Sequence, residues 1–185
     1  DEEALNQTEN TQPAMLAAGY ATFKVLSNEV DLSPICMAGH SLGEYTALVA
    51  ANSLDYFEAV KLVRKRAELM QSAVPSGTGA MAAIIGLDDG QVIEICSQSN
   101  ISGVVEAVNF NSPGQVVIAG ENEAVNKACE SMKEAGAKRA IPLTVSAPFH
   151  CDLMLTAAEK MAEVLQNTTF NVPSVPVITN VTATA

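Results

Sequence analysis

Ile35-Cys36-Met37-Ala38-Gly39-His40-Ser41-Leu42-Gly43-Glu44 is the stretch on which the reading of this chain turns. A short apolar run enters it, a Gly-x-Ser-x-Gly pentapeptide follows, and a helical pattern from Leu42 to Ala51 leaves it. Strand, sharp turn and helix are the context in which that pentapeptide reads as a nucleophile elbow. The turn is tight, and a side chain at Gly39 or Gly43 is expected to crowd it. The geometry lifts the Ser41 hydroxyl clear of the backbone and aims the Leu42 amide at the same point, so nucleophile and oxyanion donor come as one unit.

Working outward, residues 1–12 are polar and acidic without an apolar period, and Pro13 suits the first position of a helix. Leu16, Tyr20, Phe23 and Leu26 give that helix a stripe running to about Asn28. A further helix spans Tyr56 to Ala73, and Pro75-Ser76-Gly77-Thr78-Gly79 breaks the pattern as a boundary. Beyond it come a strand Ala80–Leu87, a helix from Asp88 to about Ser99 and a strand Val104–Phe110. An Asn111-Ser112-Pro113-Gly114 turn, a strand Gln115–Ala119, a helix Glu121–Ala135 closed by Gly136, and a strand Arg139–Val145 follow. The order β-α-β-β-α-β over residues 79–145 is the signature of a ferredoxin-like unit. A helix Leu155–Gln166 and an apolar strand Val175–Ile178 then return to the elbow half.

Composition narrows the classes. At 185 residues, 48% hydrophobic and 17% charged, the chain is an ordinary globular one. No run is long enough to cross a bilayer, so no membrane partner is expected. A net charge of −11 argues against nucleic acid. Cys36, Cys96, Cys129 and Cys151 form no C-x-x-C pair, and only two histidines exist to join them. The expectation is therefore no metal, and free thiols in a reducing, cytoplasmic compartment. Asn167-Thr168-Thr169 and Asn180-Val181-Thr182 match the glycosylation sequon and are discounted as chance triplets. The chain starts at Asp1 rather than Met, and the reading is of a fragment whose true start lies upstream.

Serine needs a base. His40 adjoins Ser41, but side chains diverge in a tight elbow, so His40 is read as packed beneath the turn. His150, in Ser146-Ala147-Pro148-Phe149-His150, is the better base, with Pro148 stiffening the approach. Asp88 and Asp89 stand between Ser41 and His150 in the chain, where a triad acid would stand. Asp88 is read instead as the cap of the following helix, because a histidine can be oriented by a backbone carbonyl. Lys61, Arg64, Lys65 and Arg66 cluster on one helix of an acidic chain. The first three read as a solvated face. Arg66 lies near the apolar stripe, where a guanidinium can turn inward and clamp a carboxylate.

Gly39-His40-Ser41-Leu42-Gly43-Glu44-Tyr45-Thr46-Ala47-Leu48, the Arg66 helix with Met70-Gln71, and Gly77-Thr78-Gly79-Ala80-Met81 stand in order along the chain. Asn109-Phe110-Asn111-Ser112-Pro113-Gly114-Gln115 and Ser146-Ala147-Pro148-Phe149-His150-Cys151 complete the series. Together they closely resemble malonyl-CoA:acyl-carrier-protein transacylases of bacterial-type fatty acid synthesis, from Thr11 to Asn180. The resemblance implies a hydrolase-like α/β core with a parallel sheet (residues 1–78 and 146–185), interrupted by a ferredoxin-like subdomain (79–145). It implies Ser41 as acyl acceptor, His150 as its partner, the Leu42 amide as an oxyanion donor and Arg66 as binder of the malonyl carboxylate. Phe149 resembles the malonyl-selective form of its motif. The family's glutamine-bearing N-terminal loop and its C-terminal segment are expected to lie outside residues 1–185.

The implied reaction is a two-step shuttle of malonyl from malonyl-CoA, through Ser41, to holo acyl carrier protein. No bound cofactor and a monomer are expected. Lys133, Lys138 and Arg139, with Lys61 and Lys65, are candidates for docking the acidic carrier. A serine esterase or thioesterase, and a catalytically weak carrier-docking fragment, are the alternatives. An acid on His150 and a solvent-facing Arg66 would favour the esterase.

Overall fold

Unbroken apolar runs, Met81-Ala82-Ala83-Ile84 and Val116-Val117-Ile118-Ala119, buried on both faces, set the larger of two sheets. In the computed structural model, residues 2–75, 77–98, 101–145 and 147–185 are described. Ser76 in the expected boundary loop, Ser99 at an expected helix end and Ser146 at the head of the His150 motif lie outside them. The chain divides into two compact units, residues 1–68 with 161–185, and residues 69–160.

In the second unit, strands β2 (Gly79–Ile85), β3 (Val105–Ser112), β4 (Gln115–Glu121) and β5 (Arg139–Pro142) form one sheet. Their order is β3-β4-β2-β5, with every pairing antiparallel. Ala82, Ile84, Val116 and Ile118 face helices α5 (Asp89–Cys96) and α6 (Asn122–Glu134), with Val92, Val125, Ala128 and Met132 completing that core. Met81, Ala83, Val117 and Ala119 point to the other face, where Phe149, Cys151 and Leu153 cover them. A one-residue slip would exchange Ala82 and Ile84 with Met81 and Ala83 between the two packed faces. Asp88 caps α5 in a reciprocal box with Gln91, accepting from the Gln91 amide at 3.0 Å. Asp89 is exposed. Gly136 adopts φ +102° just past α6, as a helix stop does.

The first unit holds α1 (Glu2–Leu5), α2 (Thr8–Glu29), β1 (Met37–Ala38), α3 (Gly43–Ala50), most of α4 (Tyr56–Ala73), the end of α7 (Leu155–Gln166) and β6 (Val177–Ile178). β1 and β6 pair in parallel, Met37 with Val177 and Ala38 with Ile178. Ala47 and Ala51 pack on Val177 beside Met37, Leu48 and Val175. A short 3-10 turn, Asp152–Met154, precedes α7.

Several expectations need correction. The polar stretch before Pro13 is helical, and Pro13 is the sixth residue of α2 rather than its first. Proline has no amide to donate to the Glu9 carbonyl four residues back. Arg64 Nη1 donates to that carbonyl instead, at 2.9 Å, and to Asn10 Oδ1 at 2.9 Å. Arg64 is therefore half-buried structural mortar and not part of a solvated face, as Lys61 and Lys65 are. Leu16 is fully buried on α2, whereas Leu26 is exposed. The strand before the elbow is two residues long, and Ile35 stands 89% exposed ahead of it. β5 and β6 are likewise shorter than the apolar runs that contain them.

Candidate active site

The bend between β1 and α3 is strained. Ser41 lies at φ +52°, a left-handed conformation that costs a non-glycine residue energy and persists only where the surroundings impose it. Gly39 makes the bend possible, since a Cβ there would come within 1.9 Å of the Gly43 carbonyl carbon. Gly43 is not held by the same constraint. It has ordinary φ and nothing within 4 Å of its Cβ direction, so the expectation of crowding at both glycines holds only for Gly39. Leu42 is buried and helical at the head of α3, where helix amides lack intrahelical partners. His40 is exposed rather than packed beneath the turn. It lines an open groove of about 690 Å³ with Met15, Phe23, Leu32 and Met37.

Arg66, on α4, turns towards the elbow. Its Nη2 donates to Ser41 Oγ at 3.1 Å and its Nη1 to Gln12 Oε1 at 2.6 Å. Gln12 is buried on α2, and its Nε2 donates to Thr8 Oγ1 at 3.0 Å. The guanidinium carbon sits 5.7 Å from the centroid of the Tyr45 ring. Burial lowers the guanidinium's pKa below its ordinary value, and the neighbouring Tyr45 and Glu44 oppose that shift. Burial likewise raises the Tyr45 phenol, with Arg66 pulling it back. The guanidinium is thus half-buried, oriented on three sides and next to a serine hydroxyl, a geometry whose chemistry suits pairing with a carboxylate.

The His150 loop is built differently. His150 also adopts positive φ, +71°, and is exposed. Its flanks are fixed. Pro148 is fully buried, and a Cβ on Gly79 would meet the Pro148 ring at 2.3 Å. The Phe149 amide donates to Ala147 O at 3.0 Å, and Cys151 Sγ to Pro148 O at 3.2 Å. Phe149 and Cys151 lie against Met81, Ala83, Val117 and Ala119 of the sheet. Burial raises the Cys151 thiol above its ordinary value, which suits packing rather than chemistry.

The acyl transferase domain model matches residues 1–185, the whole chain. The chain belongs to the acyl transferase domain family. This acyl transferase domain is 56% identical over 179 residues to the malonyl CoA-acyl carrier protein transacylase of Escherichia coli K12, covering 97% of the domain and 58% of that relative. It superposes with a TM-score of 0.93 on the crystal structure of an acyl carrier protein S-malonyltransferase from Vibrio cholerae, at 54% identity, over 98% of the domain and 59% of that chain. A type II PKS acyl-carrier protein in complex with its malonyl-transacylase matches with a TM-score of 0.96 and 53% identity, over 99% of the domain and 59% of that chain. The mixed architecture, one parallel and one antiparallel sheet, is that of these structures. The domain thus spans somewhat over half the length of the relatives it matches.

Two residues of this acyl transferase domain's elbow neighbourhood carry no local sequence signal. Gln12 sits in the stretch read as unstructured, and only the turn of α2 towards Arg66 reveals it. Asn180 is more telling. The Ser41 amide donates to Asn180 Oδ1 at 2.8 Å, and Asn180 Nδ2 donates to Gly39 O at 2.7 Å and to Glu44 Oε2. Its own amide also donates to Glu44 Oε2, at 2.8 Å. The carboxamide nitrogen of the Asn180 sequon is thus already engaged by protein, which gives the discounted triplet a physical reason.

Proposed function

We propose that the protein carrying this chain transfers a malonyl group from malonyl-CoA to the phosphopantetheine thiol of an acyl carrier protein, through a malonyl ester on Ser41. The observation that carries the reading is the half-buried Arg66 guanidinium, 3.1 Å from the Ser41 hydroxyl. Its second nitrogen is fixed by Gln12, so a carboxylate at the far end of a short acyl group meets a preset donor pair. The names of the relatives and the carrier complex among them support substrate and acceptor alike.

In the reaction, His150 takes the proton of the Ser41 hydroxyl as Oγ attacks the thioester carbonyl. The Leu42 amide holds the oxyanion. The tetrahedral intermediate expels CoA, which leaves as its thiol with the proton from His150. The carrier's thiol then attacks the ester, passes its proton to His150, and Ser41 departs with it. Phe149 shapes the acyl end beside the base. No cofactor takes part, and the substrates are malonyl-CoA and the holo carrier. The antiparallel sheet with its two helices is read as a ferredoxin-like subdomain, residues 79–145, set into a hydrolase-like core of residues 1–78 and 146–185. Exposed Lys133, Lys138 and Arg139 on the one unit, and Lys61 and Lys65 on the other, are the docking candidates. The protein is read as a cytoplasmic monomer, a reading with which the free cysteines among the described residues agree for a reducing compartment.

An esterase has no use for a guanidinium tied beside its nucleophile, so the position of Arg66 speaks for transfer. The test is intact-mass measurement after incubation with malonyl-CoA, with Ser41→Ala as control. A stable malonyl adduct on the parent alone is expected, and no adduct on the parent sinks the proposal. Arg66→Ala is expected to shift the malonyl-to-acetyl preference by about a hundredfold, because an acetyl group leaves the native guanidinium unpaired. An equal loss on both acyl groups refutes the clamp.

A further inference from the structure

We infer that Asn180, backed by Glu44, is a positioning residue that holds the Ser41 elbow in its reactive conformation. The inference rests on the reading of Ser41 as nucleophile and goes beyond it by naming what keeps that nucleophile in place. Ser41 at φ +52° is a strained residue on an exposed turn, and strain of that kind persists only where neighbours over-determine it. The elbow's own bonds, Gly43 N to His40 O at 2.8 Å and Glu44 N to Ser41 O at 3.2 Å, close the helix side of the bend. The strand side is closed by the Asn180 carboxamide. Asn180 accepts from the Ser41 amide and donates to the Gly39 carbonyl, so one planar group bridges the two peptide units on either side of His40.

Two features make this a specific device. First, the carboxamide orientation is fixed. Its nitrogen faces the Gly39 carbonyl and the Glu44 carboxylate, and its oxygen faces an amide, so a flipped group would set like against like at each contact. Second, Glu44 lies in the first turn of α3, three residues after Ser41. There the helix N-terminus favours its charge, and it accepts from both the side chain and the backbone of Asn180. Asn180 directly follows Ile178-Thr179, at the end of the strand that pairs with β1. The tether therefore reaches the elbow from the neighbouring strand, and it engages the Ser41 amide in a way that leaves the next amide, of Leu42, as the oxyanion donor.

The experiment uses the full chain and a fluorophosphonate, which reports Ser41 reactivity without any acyl-CoA, beside malonyl transfer. Asn180→Ala is expected to slow fluorophosphonate labelling of Ser41 about thirtyfold, as loss of two hydrogen bonds at a strained turn implies. The kcat for malonyl transfer should fall in parallel, with KM for malonyl-CoA within twofold, because no contact of Asn180 reaches Arg66. Asn180→Asp places a second carboxylate against Glu44 and the Gly39 carbonyl, and is expected to be about a hundredfold slow. Adding Glu44→Gln to Asn180→Asp restores a donor opposite the new carboxylate and should recover about tenfold. Labelling of Asn180→Ala within twofold of the parent overturns the inference, and so does a double variant no faster than Asn180→Asp. A parent that labels at Ser41 yet takes up no malonyl group overturns the transfer reading instead and leaves the tether judged on labelling rate alone.

Discussion

Ser41 and His150 are both non-glycine residues in the left-handed region, and they are kept there by opposite means. Around Ser41 the restraint is polar and, Glu44 apart, distant in sequence: Asn180, Glu44, Arg66 and Gln12, linked to the elbow through hydrogen bonds on a partly exposed surface. Around His150 the restraint is apolar and largely local. Ala147, Pro148 and Cys151 are buried, and Phe149 lies on the sheet beside Cys151. For Ser41 as the proposed nucleophile, oriented dipoles serve the charge that would develop there. For His150 as the proposed base, which has only to be held at a fixed position, volume suffices. The first arrangement should be sensitive to the chemistry of a substituted group, the second to its size.

Four substitutions or conditions test that contrast. Gly39→Ala is expected to be the most damaging. Its Cβ would overlap the backbone of Gly43 and Glu44, which cannot yield as a side chain can, so a loss on the order of 4 kcal/mol is expected. Thermal melting reads this as a drop of about 2–4 °C per kcal/mol for a chain of this size. Melting unchanged by Gly39→Ala would mean that the bend is looser than described. Gly79→Ala strikes the other region by volume alone, pressing on the Pro148 ring. About 1–3 kcal/mol is expected, with activity falling because the His150 turn is displaced. If melting falls and activity per folded molecule does not, the packing is not what places His150.

A smaller effect concerns the antiparallel unit above neutral pH. Burial, with Cys129 and Glu106 nearby, raises the Cys96 thiol to about 11 from an ordinary 9. The folded chain thus keeps a proton that the unfolded chain releases. Stability from this group is fully present below pH 9 and declines as pH rises from about 9 towards 11. Denaturant titrations of the parent and Cys96→Ala should converge over that window, and parallel curves would remove Cys96 from the account. The smallest effect is expected at Gly43→Ala. With open space at its Cβ and a helical position, alanine should be neutral or stabilise by up to about 1 kcal/mol, with Ser41 labelling unchanged. A loss comparable with Gly39→Ala would restore the crowding expected at both glycines.

What was legible in the chain follows the same division. Helices α4 and α7 begin and end where their apolar periods do, and Asp88 and Gly136 mark their helix ends by well-understood local chemistry. The strands of the second unit are readable because they are apolar runs in consecutive residues, bounded by turn residues such as Asn111-Ser112-Pro113-Gly114. Ser41, Leu42, Arg66 and His150 stood out by motif or by a helical face. The residues before Pro13 did not, because that part of α2 is held by contacts no window of sequence displays. Arg64 supplies the partner that proline withholds from the Glu9 carbonyl, and Asn10 reaches back to Ala4 O at 2.8 Å. Asn180 and Gln12 were invisible for the same reason, being single polar side chains whose partners lie 139 and 54 residues away. Short β1 and β6 were overestimated because apolar runs continue past the point where the partner strand ends.

The distance between Ser41 and Asn180 along the chain has a consequence for how the protein is made. The elbow leaves the ribosome 139 residues ahead of the side chain that clasps it. At about 5–20 residues per second, that gap is on the order of ten seconds of synthesis. During that interval the nascent serine turn lacks its Asn180 clasp, and β1 lacks its partner β6. The clasp on the serine turn is thus closed late in translation, by nearly the last segment of residues 1–185 to appear.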